Sequence, residues 1–137
     1  MDIKMKHLEF IQGVINRMAS NSFLLKGWSV TLASALFALA ANDSNANFVY
    51  LAYFPCAAFW ALDGYFLRQE RLFRKLYSAA ASEPDGDPSF SMSTAPYEAQ
   101  VDSWLSTTFS LTLRLFHGTV FLVISLIMVL TLVLGSN

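Results

Sequence analysis

The sequence predicts an all-α integral membrane protein, with three transmembrane helices and helical extensions on the cytoplasmic side. Hydrophobic residues make up 55% of the chain and charged residues only 14%, whereas about 25% of residues are charged in typical soluble domains. Three long apolar runs account for the high hydrophobic content. If all three cross a membrane, all nine Lys and Arg residues fall on the same side of it. One membrane domain, residues 1–137, is therefore expected.

The first segment, residues 1–22, has the periodicity of an amphipathic helix. Its apolar residues from Ile3 to Met18 recur on one side of a helical wheel, with Glu9 and Gln12 opposite. The helix is expected in the cytoplasm, either packed on its own chain or flat in the lipid headgroup layer. Because polar residues interrupt the segment before a long apolar run can form, no cleaved signal peptide is expected.

Residues 23–67 are predicted to form a transmembrane hairpin. Its two spans, Phe23–Ala41 and Phe48–Leu67, are long enough to cross a hydrocarbon core of about 30 Å. The polar turn between them is short, which makes the spans antiparallel. Lys26 is expected to extend back to the membrane interface, and Pro55 predicts a kink in the second span.

Small residues form a stripe on each of these two spans and predict a helix-packing surface. Small side chains let helix backbones approach closely in lipid, where no hydrophobic force draws helices together. The two stripes are expected to meet within one chain or between chains of a homo-oligomer. The predicted packing residues are Gly27, Thr31, Ser34 and Ala38 on the first span, and Ala57, Ala61 and Gly64 on the second.

Residues 68–108 predict a cytoplasmic helix, a loop and a second helix. The first helix continues the second span without a breaker, and its Glu70 and Arg74 have the i,i+4 spacing of a stabilising ion pair. Glu83–Pro96 is acidic and contains three of the four prolines, so a mobile loop is expected there. A new helix is predicted to start at its end and to lead into the third transmembrane helix within residues 109–137.

The distribution of positive charge predicts the orientation. Lys and Arg residues occur up to the start of the first span and again between the second and third spans, but not in the first turn or at the C-terminus. By the positive-inside rule, the N-terminus is cytoplasmic and the C-terminus is periplasmic. The expected location is a bacterial inner membrane.

Three polar residues are the candidate pore or interface residues: Asp63, Arg114 and His117. An acidic residue within a membrane helix is costly, so Asp63 could face a water-filled path or a base on a neighbouring helix. Alternatively, it lies at the cytoplasmic interface, where it anchors its helix or pairs with Arg114. The interface anchor is the simpler interpretation, and a structural pairing is favoured over a proton relay for Arg114 and His117.

The remaining residues favour no enzyme. No nucleophile stands beside a base, the glycines match no phosphate-binding loop, and His7 and His117 are too few and too far apart for a metal site. Cys56 is the only cysteine, which excludes an intrachain disulfide and a cysteine-based zinc site. No catalytic residue, metal or other cofactor is predicted.

A basic cluster directly follows the second span and consists of Arg68, Arg71, Arg74 and Lys75. Bases beside a membrane set topology and attract anionic lipid without further specificity. Neither nucleic acid nor a nucleotide is therefore expected as a partner.

Two stretches carry a resemblance to known proteins: HLEFIQGVINRMASNSFLLKGW (His7 to Trp28) and FWALDGYFLRQERLFRKLY (Phe59 to Tyr77). They resemble a group of small bacterial membrane proteins of otherwise unassigned role. Some of these are similar in layout to SLATT-type effectors, the two-helix membrane effectors of anti-phage defence operons. The resemblance covers about the first 80 residues and implies an oligomeric pore that opens on a signal from a partner protein. The third span departs from that two-helix pattern.

These observations together favour an oligomeric inner-membrane effector that forms a pore or perturbs the membrane on a cytoplasmic trigger. A role in anti-phage defence is implied by the resemblance alone. One alternative is a non-conducting scaffold that recruits a cytoplasmic protein partner, and another is a phage holin-like protein. The expected partners are the lipid bilayer, further copies of the chain and a cytoplasmic protein.

Overall fold

The computed structural model describes residues 2–43, 45, 47–84 and 90–135. Every regular element in these residues is a helix, which confirms the predicted all-α fold. The elements are α1 (Ile3–Asp43), α2 (Asn47–Ser82), a 3₁₀ helix (Ala95–Gln100), α3 (Trp104–Thr108) and α4 (Leu111–Gly135).

Helices α1 and α2 form one long antiparallel hairpin. Asn45 lies in its turn, and near the open end Nζ of Lys4 donates to the carbonyl O of Glu83 at 2.8 Å. No proline interrupts α1, so the predicted cytoplasmic extension and the first span are one continuous helix. Helix α2 also runs through Pro55 without a break. At 1.5 Å per residue, the 41 residues of α1 measure about 60 Å.

The hairpin has two halves of different composition. We call residues 23–43 and 47–67 the apolar half, and residues 3–22 and 68–82 the polar half. Most charged residues of the two helices lie in the polar half. The apolar half has three, Lys26, Asp63 and Asp43, of which Asp43 is the last residue of α1.

Helix α4 packs along the apolar half, antiparallel to α2. His117 contacts Asp63, whereas Ser125 contacts Tyr53, so the two helices run in opposite directions. A buried apolar cluster fills the space between them, and residues of α1 pack against it. This cluster consists of Val49, Ala52, Cys56, Ile124 and Met128.

The polar half has an apolar core of its own. Ile11 and Ile15 of α1 are buried against Leu76 and Ala80 of α2, and Tyr97 of the 3₁₀ helix covers them. The N-terminal amphipathic segment therefore packs on its own chain, which is one of the two alternatives that the sequence leaves open.

The chain after α2 returns along the polar half. Nε2 of His7 donates to the carbonyl O of Ser91 at 2.9 Å, and its ring lies 5.3 Å from that of Phe90. Nε of Arg68 donates to the carbonyl O of Asp102 at 3.1 Å. Residues 85–89 of the predicted mobile loop lie outside the described residues, but the end of that loop is held against α1.

The single helix predicted after Glu83–Pro96 is instead two short helices. Val101 has an extended backbone and ends the 3₁₀ helix. Ser103 then caps α3, because its Oγ accepts a hydrogen bond from the backbone N of Ser106 at 3.3 Å. Helix α3 ends before α4 begins, so the predicted continuous passage into the last span is wrong.

Two helices among the described residues, α1 and α4, are long and apolar enough to cross a membrane, by length and composition only. Helix α2 was predicted to be a third and falls short, because Tyr, Trp, Pro and Asp63 interrupt its apolar run. In an apolar 18-residue stretch of each of these two helices, only 11% of the residues are buried within the chain. The core helix of a soluble protein would be mostly buried, so both helices are compatible with membrane insertion.

The small-residue stripe of α1 is not used for packing within the chain. Ser29 and Ala33 are the buried residues of this part of α1. Within one chain the two predicted stripes therefore do not meet, and their contact between chains stays a prediction. The exposed stripe consists of Gly27, Thr31, Ser34 and Ala38.

Candidate functional site

Asp63 is completely buried in the apolar half of the hairpin, one helical turn before the end of the predicted span. It lies on the side of α2 that meets both α1 and α4. A carboxylate in such surroundings is tolerated only when charged or polar groups donate hydrogen bonds to it. The side chains that donate to it define the candidate site.

Three side chains donate to the Asp63 carboxylate. Nζ of Lys26 donates to Oδ2 at 2.6 Å, and Nε2 of His117 donates to the same oxygen at 2.7 Å. Oγ of Ser22 donates to Oδ1. Nζ of Lys26 also lies 2.7 Å from Oγ of Ser22. We call these four residues the Asp63 cluster, and it joins α1, α2 and α4.

Local helix geometry explains why these side chains converge. Ser22 and Lys26 are spaced i,i+4 and therefore lie on the same face of α1. His117 lies in the second turn of α4, on the face that also carries the buried residues Leu113 and Ile124. Each helix thus turns its polar residues inward at the same level of the bundle.

The members of the cluster differ in accessibility. The side chains of Asp63 and His117 are 0% exposed, whereas that of Lys26 is 23% exposed. Nζ of Lys26 lies 5.9 Å from the ring centroid of Phe116, which partly shields it. Of Asp63, His117 and Lys26, it is therefore Lys26 that reaches the surface of the chain.

Aromatic rings hold His117 in place. The ring of Trp60 stacks on it at 5.8 Å with an interplanar angle of 13°, and Nε1 of Trp60 donates to the carbonyl O of Thr108 at 2.7 Å. Nδ1 of His117 is buried and has no hydrogen-bond partner among the described residues. With Nε2 as the donor to Asp63, a neutral imidazole leaves Nδ1 as a free acceptor.

Gly64 lets α3 approach α2 directly beside the cluster. A Cβ atom at this position would lie 2.9 Å from Cβ and 3.0 Å from Cα of Thr108. Nε1 of Trp104 also donates to the carbonyl O of Ala61 at 3.0 Å. Ala61 and Gly64 were predicted to pack on another span, but they contact α3 instead, and Ala57 is exposed.

The predicted pairing of Asp63 with Arg114 is wrong. Arg114 is exposed, whereas His117, three residues later on α4, is buried on Asp63. The Asp63 side chain is fully buried between helices, and its position at the cytoplasmic interface stays a prediction. His117 was a predicted candidate and is confirmed as a neighbour of Asp63.

Two residues of the cluster, Ser22 and Lys26, were missed by the sequence analysis. Lys26 was expected to extend to the interface, but its amine turns inward to Asp63. One signal could have identified the pair. Lys26 lies nineteen residues before Asn45 and Asp63 lies eighteen residues after it, so an antiparallel hairpin with its turn at Asn45 brings them opposite each other.

The basic cluster remains on the surface of the polar half. Nη2 of Arg74 pairs with Oε1 of Glu70 at 2.9 Å, which confirms the predicted i,i+4 pair. Arg68 donates to the backbone of Asp102, whereas Arg71, Arg74 and Lys75 line an open groove. None of these residues contacts the Asp63 cluster.

The chemistry available to the Asp63 cluster is electrostatic. Among the described residues, no group of three or more His, Cys, Asp and Glu side chains could hold a metal ion. The carboxylate balances the charge of Lys26, and His117 contributes a donor and a free ring nitrogen. Comparison with protein-family models, with curated proteins and with solved structures finds no match to this chain.

Proposed function

We propose that the chain is a three-span protein of a bacterial inner membrane, with a cytoplasmic N-terminus and a periplasmic C-terminus. We propose further that it acts as an oligomeric effector, which forms a pore or perturbs the membrane on a cytoplasmic trigger. The observation that carries the proposal is the Asp63 cluster, where charged side chains of α1 and α2 and a histidine of α4 meet in apolar surroundings. The anti-phage role is suggested only by the resemblance described above.

The position of α2 supports a third span. Its apolar half packs between α1 and α4 over the same length as the two helices that meet the length and composition criterion. Lys26 neutralises Asp63, which removes the largest obstacle to placing α2 in lipid. Apolar side chains of α4 such as Leu115, Leu122 and Leu126 are exposed, as expected of a lipid-facing surface.

The packing of one chain supports conduction between chains rather than through a single chain. The centre of the apolar half is filled by the cluster around Cys56 and Ile124. A conducting path would therefore form where chains meet. The exposed stripe that includes Gly27 and Thr31 suits such a contact, because small residues allow close approach of helices in lipid.

The cluster suggests how a trigger could act. It ties the three spans together just inside the cytoplasmic membrane surface, and α1 and α2 continue without a break into the polar half. A partner that shifts α1 relative to α2 in the cytoplasm would pull Lys26 away from Asp63. The separated charges would then favour water, and hence an open path, over lipid or a dry core.

Reconstituted vesicles test the conducting function. The full chain is inserted into liposomes with a potassium gradient, and a membrane-potential dye reports leakage. We expect wild-type vesicles to hold the gradient and Asp63→Asn to dissipate it, because Lys26 loses its counter-charge. Glu70→Gln removes an acidic group from an exposed ion pair and should behave like wild type. Sealed vesicles with correctly inserted, oligomeric Asp63→Asn would contradict a pore.

Gly27 tests the oligomer separately. Apart from the adjacent backbone of α1 itself, no atom lies within 4 Å of a Cβ placed at Gly27 or at Gly13, so Gly27→Leu and Gly13→Leu should both leave the single chain folded. Gly27 lies in the exposed stripe, and Gly13 lies in the polar half. Cross-linking in native membranes should show loss of oligomer for Gly27→Leu only. Equal cross-linking of both variants would exclude this stripe as the contact.

A non-conducting scaffold is the second candidate, because the polar half exposes large apolar side chains. Ile3, Met5 and Phe10 are all more than half exposed. A scaffold would use them to hold a cytoplasmic protein. Phe10→Ser should then abolish co-purification of that protein, while the membrane potential of the cells stays constant throughout. Depolarisation that follows partner binding would favour the effector instead.

A further inference from the structure

A groove lies on the outer side of α2, just beyond its apolar half. Its volume is about 260 Å³. One wall consists of basic residues on successive turns of α2, and the other is the segment that precedes α3. The lining residues are Arg71, Arg74, Lys75, Gln100, Val101 and Asp102.

The cations of the groove are largely uncommitted. Neither Arg71 nor Lys75 has a hydrogen bond or ion pair within the described structure. Arg74 pairs with Glu70, but the Arg74 side chain is 62% exposed and that of Glu70 is 15% exposed, so the guanidinium lies at the surface. The groove lining thus has three positive side chains and one carboxylate, that of Asp102, while the carboxylate of Glu70 pairs with Arg74 beside it.

The second wall of the groove is held in place by hydrogen bonds to α2. Nε of Arg68 donates to the carbonyl O of Asp102 at 3.1 Å. Two residues later, Nε1 of Trp104 donates to the carbonyl O of Ala61 at 3.0 Å. The groove therefore has a defined width before any ligand binds.

The groove lies at the depth of lipid headgroups if the chain spans a membrane as proposed. Arg68 is the first charged residue after the apolar half. Trp104, Leu105 and Phe109 follow the groove segment and are exposed, and Trp side chains are enriched at membrane interfaces. An anion bound in the groove would sit level with the phosphates of the cytoplasmic leaflet.

We propose that this groove binds the headgroup of an anionic phospholipid. Guanidinium and ammonium groups bind phosphate through charge-assisted hydrogen bonds, and the Gln100 amide adds a further donor. Asp102 can accept hydrogen bonds from headgroup hydroxyls, so phosphoglycerol matches both kinds of group. The inference depends on membrane insertion but not on conduction.

Native mass spectrometry of the full chain in detergent tests the site. The probes are phosphatidylglycerol, phosphatidylcholine with the same acyl chains, and soluble glycerol phosphate. Phosphatidylglycerol should be retained in preference to phosphatidylcholine. Arg71→Gln should weaken that retention about fivefold, since one cation beside a membrane contributes about 1 kcal/mol. Gln100 is exposed and lies outside α2. Gln100→Glu should therefore leave α2 intact and should also weaken lipid retention, because a carboxylate replaces the amide donor.

Matched controls lie on the polar half of α1, away from the groove. Arg17→Gln and Gln12→Glu make the same chemical changes at exposed positions and should leave retention unchanged. Equal losses in control and groove variants would show diffuse attraction and overturn the site. Glycerol phosphate that binds as tightly as the lipid would assign the groove to a soluble ligand and overturn the lipid proposal. A groove variant that loses lipid, while Asp63→Asn added to the same chain still dissipates the vesicle gradient, separates this inference from the proposed pore.

Discussion

The two halves of the α1–α2 hairpin have opposite distributions of polarity. In the polar half, Ile11 and Leu76 are buried and the charged residues lie outside. In the apolar half, the surface is apolar and the most buried polar contact is that of Asp63 with Lys26 and His117. The same two helices therefore suit water at one end and lipid at the other. We therefore expect burial of apolar side chains to stabilise the polar half, and close packing with the buried ion pair to stabilise the apolar half.

Loss of the Asp63 charge should have the largest effect, because it attacks the polar centre of the apolar half. Asp63→Asn leaves the largely buried Lys26 ammonium without a counter-charge, and removal of one partner of a fully buried pair costs about 3–5 kcal/mol. Unfolding in mixed micelles measures the loss. The double variant Lys26→Gln/Asp63→Asn should recover much of it. A single variant as stable as wild type would show that the pair does not hold the helices together.

Truncation of core residues should separate the two halves most directly. Leu76→Ala in the polar half loses hydrophobic burial and leaves a cavity, at about 2–5 kcal/mol. Ile124→Ala in the apolar half should cost less, because in the proposed lipid environment the surroundings are as apolar as the core and only packing is lost. The same micelle unfolding assay compares the two variants. Equal losses would contradict different solvents around the two halves.

Addition of a methyl group should show which glycine is a packing contact. Gly64→Ala places Cβ against Thr108 and should destabilise the fold by about 1–3 kcal/mol, as expected of overpacking. Gly27→Ala meets no atom within 4 Å and should instead stabilise α1 by about 0.5–1 kcal/mol. Thermal unfolding of the two variants measures the predicted loss of stability for Gly64→Ala and the predicted gain for Gly27→Ala. Destabilisation by Gly27→Ala in the monomer would contradict an open stripe.

Loss of the exposed ion pair should have the smallest effect. Glu70→Gln removes the partner of Arg74 on the surface of the polar half, where an i,i+4 pair contributes about 0.3–0.5 kcal/mol. The change should shrink further at high salt, because exposed charges are screened. Unfolding at low and high ionic strength measures it. A loss comparable with that of Asp63→Asn would contradict the contrast between surface and buried pairs.

Local patterns in the sequence predict most of the helical architecture. Periodicity and the short polar turn predict the hairpin, and the i,i+4 spacing predicts the contact of Glu70 with Arg74. These features depend on neighbours within one or two helical turns, so the sequence alone contains them. The 3₁₀ helix and α3 were predicted as one helix from local helical propensity. In the structure, the hydrogen bonds of Ser103 and Trp104 interrupt that helix.

Contacts between helices were predicted less well. Lys26 was interpreted by itself, as a residue at the end of a span, and its partner only becomes evident when the hairpin is folded at Asn45. Small residues such as Gly27 and Gly64 indicate that something approaches closely, but not which element. Arg114 and His117 are close in sequence, and the rotation of α4 decides which of them reaches Asp63.

Because α1 is continuous through both halves, a displacement of α1 in the polar half would also displace it in the apolar half. The contact of Ile11 with Leu76 and the contact of Lys26 with Asp63 both join α1 to α2. Along α1, the two contacts are about 22 Å apart at 1.5 Å per residue. Stiff helices transmit a push at one end to the other with little loss. A slide of one helical turn, about 5.4 Å, would move the Lys26 amine beyond hydrogen-bonding distance of Asp63. Force applied to the polar half would thus reach the Asp63 cluster without any ligand having to enter the apolar half.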